Sequence, residues 1–258
     1  MRPRPSLLAR WLEPIGSGLW VFFLLSTVAL TAVWGFGLGD AELGKWVAHP
    51  DLRTTLLWLN TIGDIAWITL AAANVYLCLV EEEGLATARR WSLIIIVAVV
   101  ALGWCSARTG FPLGPIQYGR QLGVKVGPVP LGLALFWVAA IIGGREAMLR
   151  FFPRFSHGQI ALGTGVLAFL TDLNLEPVAA KLRAFWFWRA NPPTLPPIFD
   201  PPLTNPVAWG VVAGALALML REENVSDSLR SRSWKPVTTF AIIQAVLLAG
   251  HVGRWVRG

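Results

Sequence analysis

Asp172 and Glu176 stand four residues apart in Thr171-Asp172-Leu173-Asn174-Leu175-Glu176-Pro177. On a helix that spacing puts both carboxyls on one face, here at the end of an apolar run. Two carboxyls in a poorly solvated place need not share a protonation state. Desolvation and mutual repulsion keep one acid protonated near neutrality while the other ionises. Such a pair can work as general acid and general base. The alternative is a polar cluster at a helix end, paired with Lys181 or Arg183. Pro177 disfavours helical geometry at Glu176, so the helix is expected to end or kink there.

Other ionisable groups lie in or beside apolar runs, where they are expensive and therefore functional candidates. Asp64 follows Asn60 by four residues, a polar patch or a structural hydrogen-bonded pair on one helix face. Arg108, before Thr109-Gly110, either pairs with an acid or snorkels to headgroups, and residue type favours snorkelling. Glu146, beside Arg145, is expected to be a solvated or locally paired surface charge, and Asp200 sits in a proline-rich loop.

These residues must be positioned by membrane helices. The chain has 258 residues, 55% hydrophobic and 14% charged, with 14 Trp and 2 Tyr, and a mean hydropathy of +0.56. That composition excludes a disordered chain, a coiled coil and an ordinary soluble enzyme. Apolar runs predict seven spans, near residues 17–37, 56–80, 91–107, 129–149, 159–179, 206–220 and 237–256. The expected fold is all-α, a polytopic helical bundle forming one integral membrane domain over 1–258. The first run is read as a span, not a cleaved signal.

Two connections stand out. Residues 108–130 hold five glycines and four prolines, and 191–206 hold seven prolines, densities that forbid continuous helix. Phe185-Trp186-Phe187-Trp188 precedes the second. The two segments follow spans three and five, so they emerge on one face and can meet. They are either functional loops or rigid surface connectors. Glu81-Glu82-Glu83 and Arg221-Glu222-Glu223-Asn224 read as solvated turns. With the N-terminus inside, twelve Lys and Arg fall on inner segments and ten on outer ones, too even a split to set orientation.

The net charge of +7 sits between apolar runs, where it meets anionic headgroups; nucleic acid is not an expected partner. Cys78 and Cys105 lie inside apolar runs and read as inert core residues. No CxxC, HxxxH, Walker loop or GxSxG is present, no Asp-rich pair suits magnesium-diphosphate chemistry, and span seven lacks a lysine for a retinal Schiff base. Neither a metal site nor a cofactor is expected.

The stretch Arg108-Thr109-Gly110-Phe111-Pro112-Leu113-Gly114-Pro115-Ile116-Gln117-Tyr118, followed by Leu122-Gly123, Val129-Pro130 and Trp137, resembles the loop of the membrane-embedded carotenoid biosynthesis family. That family includes carotenoid hydratases such as bisanhydrobacterioruberin hydratase. A second block, Asp172-Leu173, Leu175-Glu176-Pro177, Trp186 and Trp188, then Asn205 and Trp209, is similar to the family in order and spacing. Departures are Leu113 for Phe, Ile116 for Tyr, Glu176 for Asp, Pro206-Val207 where an aromatic is usual, and no acid in Leu102–Ser106.

The resemblance implies an enzyme that hydrates a terminal C=C of an acyclic carotenoid. Asp172 and Glu176 would be catalytic, and Arg108, Thr109, Tyr118, Trp186, Trp188, Asn205 and Asp64 would bind substrate. It implies a carotenoid or other isoprenoid lipid as partner, the bilayer of a bacterial cytoplasmic membrane as setting, and association with other carotenoid-pathway enzymes. The departures suit the alternative, a non-enzymatic carotenoid or lipid binder or a small-molecule transporter.

Overall fold

The computed structural model describes residues 7–36, 45, 47–189, 202, 204–220 and 233–257. Among them lie seven helices: α1 (Leu7–Gly35), α2 (Pro50–Glu83), α3 (Leu85–Thr109), α4 (Leu131–Phe151), α5 (His157–Glu176), α6 (Thr204–Met219) and α7 (Lys235–Arg257). Each coincides with one of the seven apolar runs, and the fold is an all-α polytopic bundle. Five of them, α1 to α4 and α7, are long and apolar enough to cross a membrane. α6 is apolar but has 16 residues, and α5 has 20 with polar groups along it.

Local signals set the boundaries. Pro50 occupies the first turn of α2, where its missing N–H costs nothing. Ser156 and Gln159 form a capping box at the start of α5. Gly110 caps α3 in the left-handed conformation at φ 77°, where a side chain would be strained. Most helices outrun their apolar cores because polar turns extend them. Glu81 to Glu83 thus lie in the last turn of α2 and not in a loop; Glu81 is exposed, and Glu82 Oε1 accepts from the Ser233 amide at 2.6 Å. The Arg221–Asn224 turn and Asp200 lie outside the described residues.

α4 is the central helix, packed by α2, α3, α5 and α7. Its burial corrects the expectation for Glu146. That residue is 1% exposed, not at the surface, and lies 3.8 Å from Arg145, itself stacked over Trp91. Cys78 is core, but Cys105 is exposed, which corrects its assignment to the interior; both are free thiols. α7 is tied to α5 through Gln244, which accepts from Asn174 and donates to Thr171.

Four short strands were not expected from the sequence: β1 (Ile116–Tyr118), β2 (Lys125–Val126) and β3 (Val129–Pro130) in the first irregular segment, and β4 (Trp186–Trp188) just before the second. β2 and β3 form a small hairpin, and β1 pairs with β4 antiparallel, with Ile116 opposite Trp188 and Tyr118 opposite Trp186. Further bonds, Gly119 N to Phe185 O and Arg189 N to Pro115 O, extend this contact. The connection after α3 and the chain after α5 therefore meet on one face.

Candidate active site

The site begins with the phase of α5. Asp172 and Glu176 share a face, one turn apart, and both are withdrawn from solvent at 0% and 1% exposure. Glu176 keeps α geometry (φ −52°, ψ −52°) in spite of the following proline. The α-helix ends there and the chain continues as a π-helical turn, Pro177–Leu182, closed by Arg183 N on Val178 O. A π turn inside a helical run often marks a functional position. Here it delivers the chain to β4.

β4 then places two indoles against one carboxylate. Residues i and i+2 of a strand project from the same face. Trp186 Nε1 donates to Glu176 Oε1 at 2.9 Å, and Trp188 Nε1 to Glu176 Oε2 at 3.4 Å. Phe187 points the other way and is exposed. β1 fixes this strand from the far side.

The fourth component comes from α6. Asn205 Nδ2 donates to Asp172 Oδ2 at 2.7 Å and to Glu176 Oε1 at 2.9 Å, so one amide bridges both acids. The start of α6 is held by Trp209, one turn on, stacked on Trp137 of α4 at 4.1 Å between ring centroids. Farther along, α5 and α6 approach backbone to backbone. A Cβ on Gly165 would stand 2.6 Å from the Gly210 carbonyl, so glycine is required for the contact.

The cluster keeps unused hydrogen-bonding capacity. Asp172 Oδ1, Asn205 Oδ1 and the Tyr118 hydroxyl are buried without a hydrogen-bond partner. Buried polar atoms are nearly always paired, so three such atoms in one neighbourhood suit a water or a reacting group. Tyr118 lies on β1, outside the spans, with its hydroxyl against Gly103. Burial first, then the charges of Asp172 and Glu176, push its phenol up from the ordinary value.

The structure thus gathers Asp172, Glu176, Trp186, Trp188 and Asn205, with Tyr118 on the adjoining strand. It does not bring Arg108, Thr109 or Asp64 into their hydrogen-bond network. Arg108 and Thr109 are exposed; Thr109 shapes the turn, donating to Cys105 O and accepting from Phe111 N. Asp64 is held by Arg183, through Nε at 2.9 Å and Nη2 at 2.6 Å, and by Trp34 Nε1 at 3.3 Å. Asn60 contributes its backbone carbonyl to Arg183 at 3.2 Å. Arg183, one of the two cations expected beside the acid pair, pairs elsewhere. Its match to Asp64 carried no sequence signal, because 119 residues separate them.

A family model described as carotenoid biosynthesis protein matches residues 63–256. No curated protein and no solved structure matches the chain.

Proposed function

The chain belongs to the carotenoid biosynthesis protein family, and from that premise we propose that it adds water to a terminal C=C of an acyclic carotenoid, with Asp172 and Glu176 as the acid and base. The observation that supports this reading is the single Asn205 amide shared by two buried carboxyls. Glu176 accepts three N–H groups, from Trp186, Trp188 and Asn205, an environment that favours a carboxylate. Asp172 accepts from Asn205 on one oxygen and keeps Oδ1 for a proton.

In this scheme Asp172 gives its proton to the less substituted alkene carbon, and the alkene π pair forms the new C–H bond. The cation is left on the tertiary carbon. A water oxygen bonds to that carbon and gives up a proton to Glu176. Return of that proton to Asp172 completes the cycle, with one water consumed and no change in overall redox state, so the chemistry needs no electron carrier. The indoles of Trp186 and Trp188 lend their rings to the cation, worth about 2 kcal/mol where water is excluded. Tyr118 and Asn205 Oδ1 are the groups at hand to hold the water. Arg108, Thr109 and Asp64 act on the scaffold in this proposal, not on the substrate.

The experiment is expression in a bacterial host that makes lycopene and related acyclic carotenoids, followed by mass analysis of the pigments. The expected product is heavier by one or two waters, and Asp172→Asn and Glu176→Gln each abolish it. Retention of hydration in both variants would overturn the acid–base scheme. A second reading, a carotenoid-binding protein whose acid cluster is a structural lock, draws on the near-complete burial of both acids. Pigment that co-purifies with unchanged mass would favour it. Residence in the bacterial cytoplasmic membrane and association with other pathway enzymes belong to the same proposal.

A further inference from the structure

α5 and α6 enclose a groove of about 410 Å³. Its two walls belong to the same helices that carry Asp172 and Asn205. It runs along α5 from Gly158 to Phe169, about 16 Å at 1.5 Å per residue. Phe169 precedes Asp172 by one turn, and Val207 on the opposite wall follows Asn205 by two residues. Every lining residue is Gly, Ala, Val, Leu or Phe.

Polar ties mark the two ends. At one, His157 Nε2 lies 2.9 Å from the Leu218 carbonyl. At the other, Asn205 binds Asp172. Between them Gly165 and Gly210 form the floor, and Leu162 and Val211, 70% and 67% exposed, stand along the rim. The groove thus opens sideways, to the outside of the bundle.

A second groove, among α2, α3 and α4, is almost wholly apolar as well, although Arg89, Ser92, Thr69 and Tyr76 contribute to its walls. What sets the α5–α6 groove apart is its position on the two helices that carry Asp172 and Asn205, and its apolar side chains suit an all-carbon chain.

We infer that the α5–α6 groove is a binding track for the polyene chain of the substrate, which reaches it sideways from the bilayer and lays its end toward Asp172 and Asn205. This rests on the carotenoid reading of the site but not on hydration. A substrate dissolved in hydrocarbon reaches a lateral groove without crossing water. With no polar side chain along the groove, the polar groups beyond its Asp172 end are the ones positioned to act on the chain's terminal C=C.

The test uses full-length protein in nanodiscs, titrated with lycopene and followed by the shift of its visible absorption bands. Product mass is measured in the same samples. Val211→Trp and Leu162→Trp fill the groove from its rim without entering the core. Val97→Trp, on an exposed face of α3, is the control. The expected result is at least a tenfold rise in the half-saturating lycopene concentration for both groove variants and none for the control. Wild-type affinity in both groove variants overturns the track. So does a bromolipid that occupies the groove and is not displaced by lycopene, which marks it as an acyl-chain site. So does loss of binding only on dissociation of a dimer, which marks the face as a contact between copies. If lycopene binding follows the groove while no sample gains water, the track stands and hydration fails. If the groove variants hydrate lycopene with unaltered binding, the reverse holds.

Discussion

Arg183 Nη2 lies 2.6 Å from Asp64 Oδ2, both groups out of reach of solvent. This pair joins α2 to the chain just past the π turn, seven residues beyond Glu176. It commits a guanidinium that could otherwise have neutralised Glu176 or Asp172. The acids themselves accept N–H groups from Trp186, Trp188 and Asn205. Removing one partner strands a buried charge. Asp64→Leu and Arg183→Met should each lower stability by about 3–5 kcal/mol, while the double variant should cost less than either. Thermal unfolding in detergent checks this. A double variant less stable than both singles would contradict it.

The Asn205 amide donates to both acids. Asn205→Leu removes hydrogen bonds to charged or charge-sharing groups, about 1.5–3 kcal/mol. If that loss falls on the transition state, water addition slows about ten- to hundredfold. Asp172→Asn should cost more, in the range of about 10²–10⁴-fold for a lost general acid. Initial rates of product appearance in nanodiscs would rank the two. A larger loss from the Asn205 variant would move the acid role away from Asp172.

Two glycines of α5 make a matched comparison. A Cβ on Gly165 would collide with the Gly210 carbonyl, whereas one on Gly158 meets nothing within 4 Å. Gly165→Ala should destabilise by about 1–3 kcal/mol, the range for overpacking. Gly158→Ala should be neutral or stabilising by about 0.4–1 kcal/mol, through the unfolded chain. Melting temperatures of the two variants decide this; equal shifts would mean that the α5–α6 contact is not tight.

Tyr118 supplies a pH signature. Its phenol keeps its proton in the fold above the ordinary value of 10.0, because of burial and then the nearby carboxylates. The folded protein therefore holds a proton that the unfolded chain releases. This contribution to stability is fully present below pH 10 and is lost as the pH rises from there through the folded value. Alkaline unfolding curves should show a shallower decline for Tyr118→Phe than for wild type. In an ultraviolet titration of the native protein, that substitution should remove no phenolate signal near pH 10. An early phenolate assigned to Tyr118 would contradict the closed setting.

The two thiols should differ in access. A membrane-permeable maleimide should modify Cys105, exposed near the end of α3, and spare Cys78 until the protein is denatured. Mass analysis should show one adduct on the native protein and none on Cys105→Ser.

Helix number and type were legible because hydrocarbon imposes length and backbone satisfaction on every span. That the chain after the third span meets the chain after the fifth was legible from parity, and β1 pairs with β4 there; of the proline-rich segment 191–206, residues 191–201 and 203 lie outside the described residues. The acid pair was legible from four-residue spacing alone. Asn205, Trp186 and Trp188 came from resemblance, since nothing local to them announces a carboxylate partner. Asp64–Arg183 and the burial of Glu146 were not legible. The first is set by tertiary packing across 119 residues, and the second by α4 standing at the centre of the bundle, where it stays buried as far as Leu149. Arg108 is exposed at the end of α3.

Asn205 reaches Asp172 across 33 residues and Glu176 across 29. On the ribosome, this order has a consequence. α5 and both acids emerge first, the two indoles follow within about a dozen residues, and the bridging amide emerges last of all. A nascent chain passing from α5 to α6 thus presents two carboxyls before Asn205 is available to join them, when burying them would cost most. Site completion therefore waits on synthesis of the sixth helix.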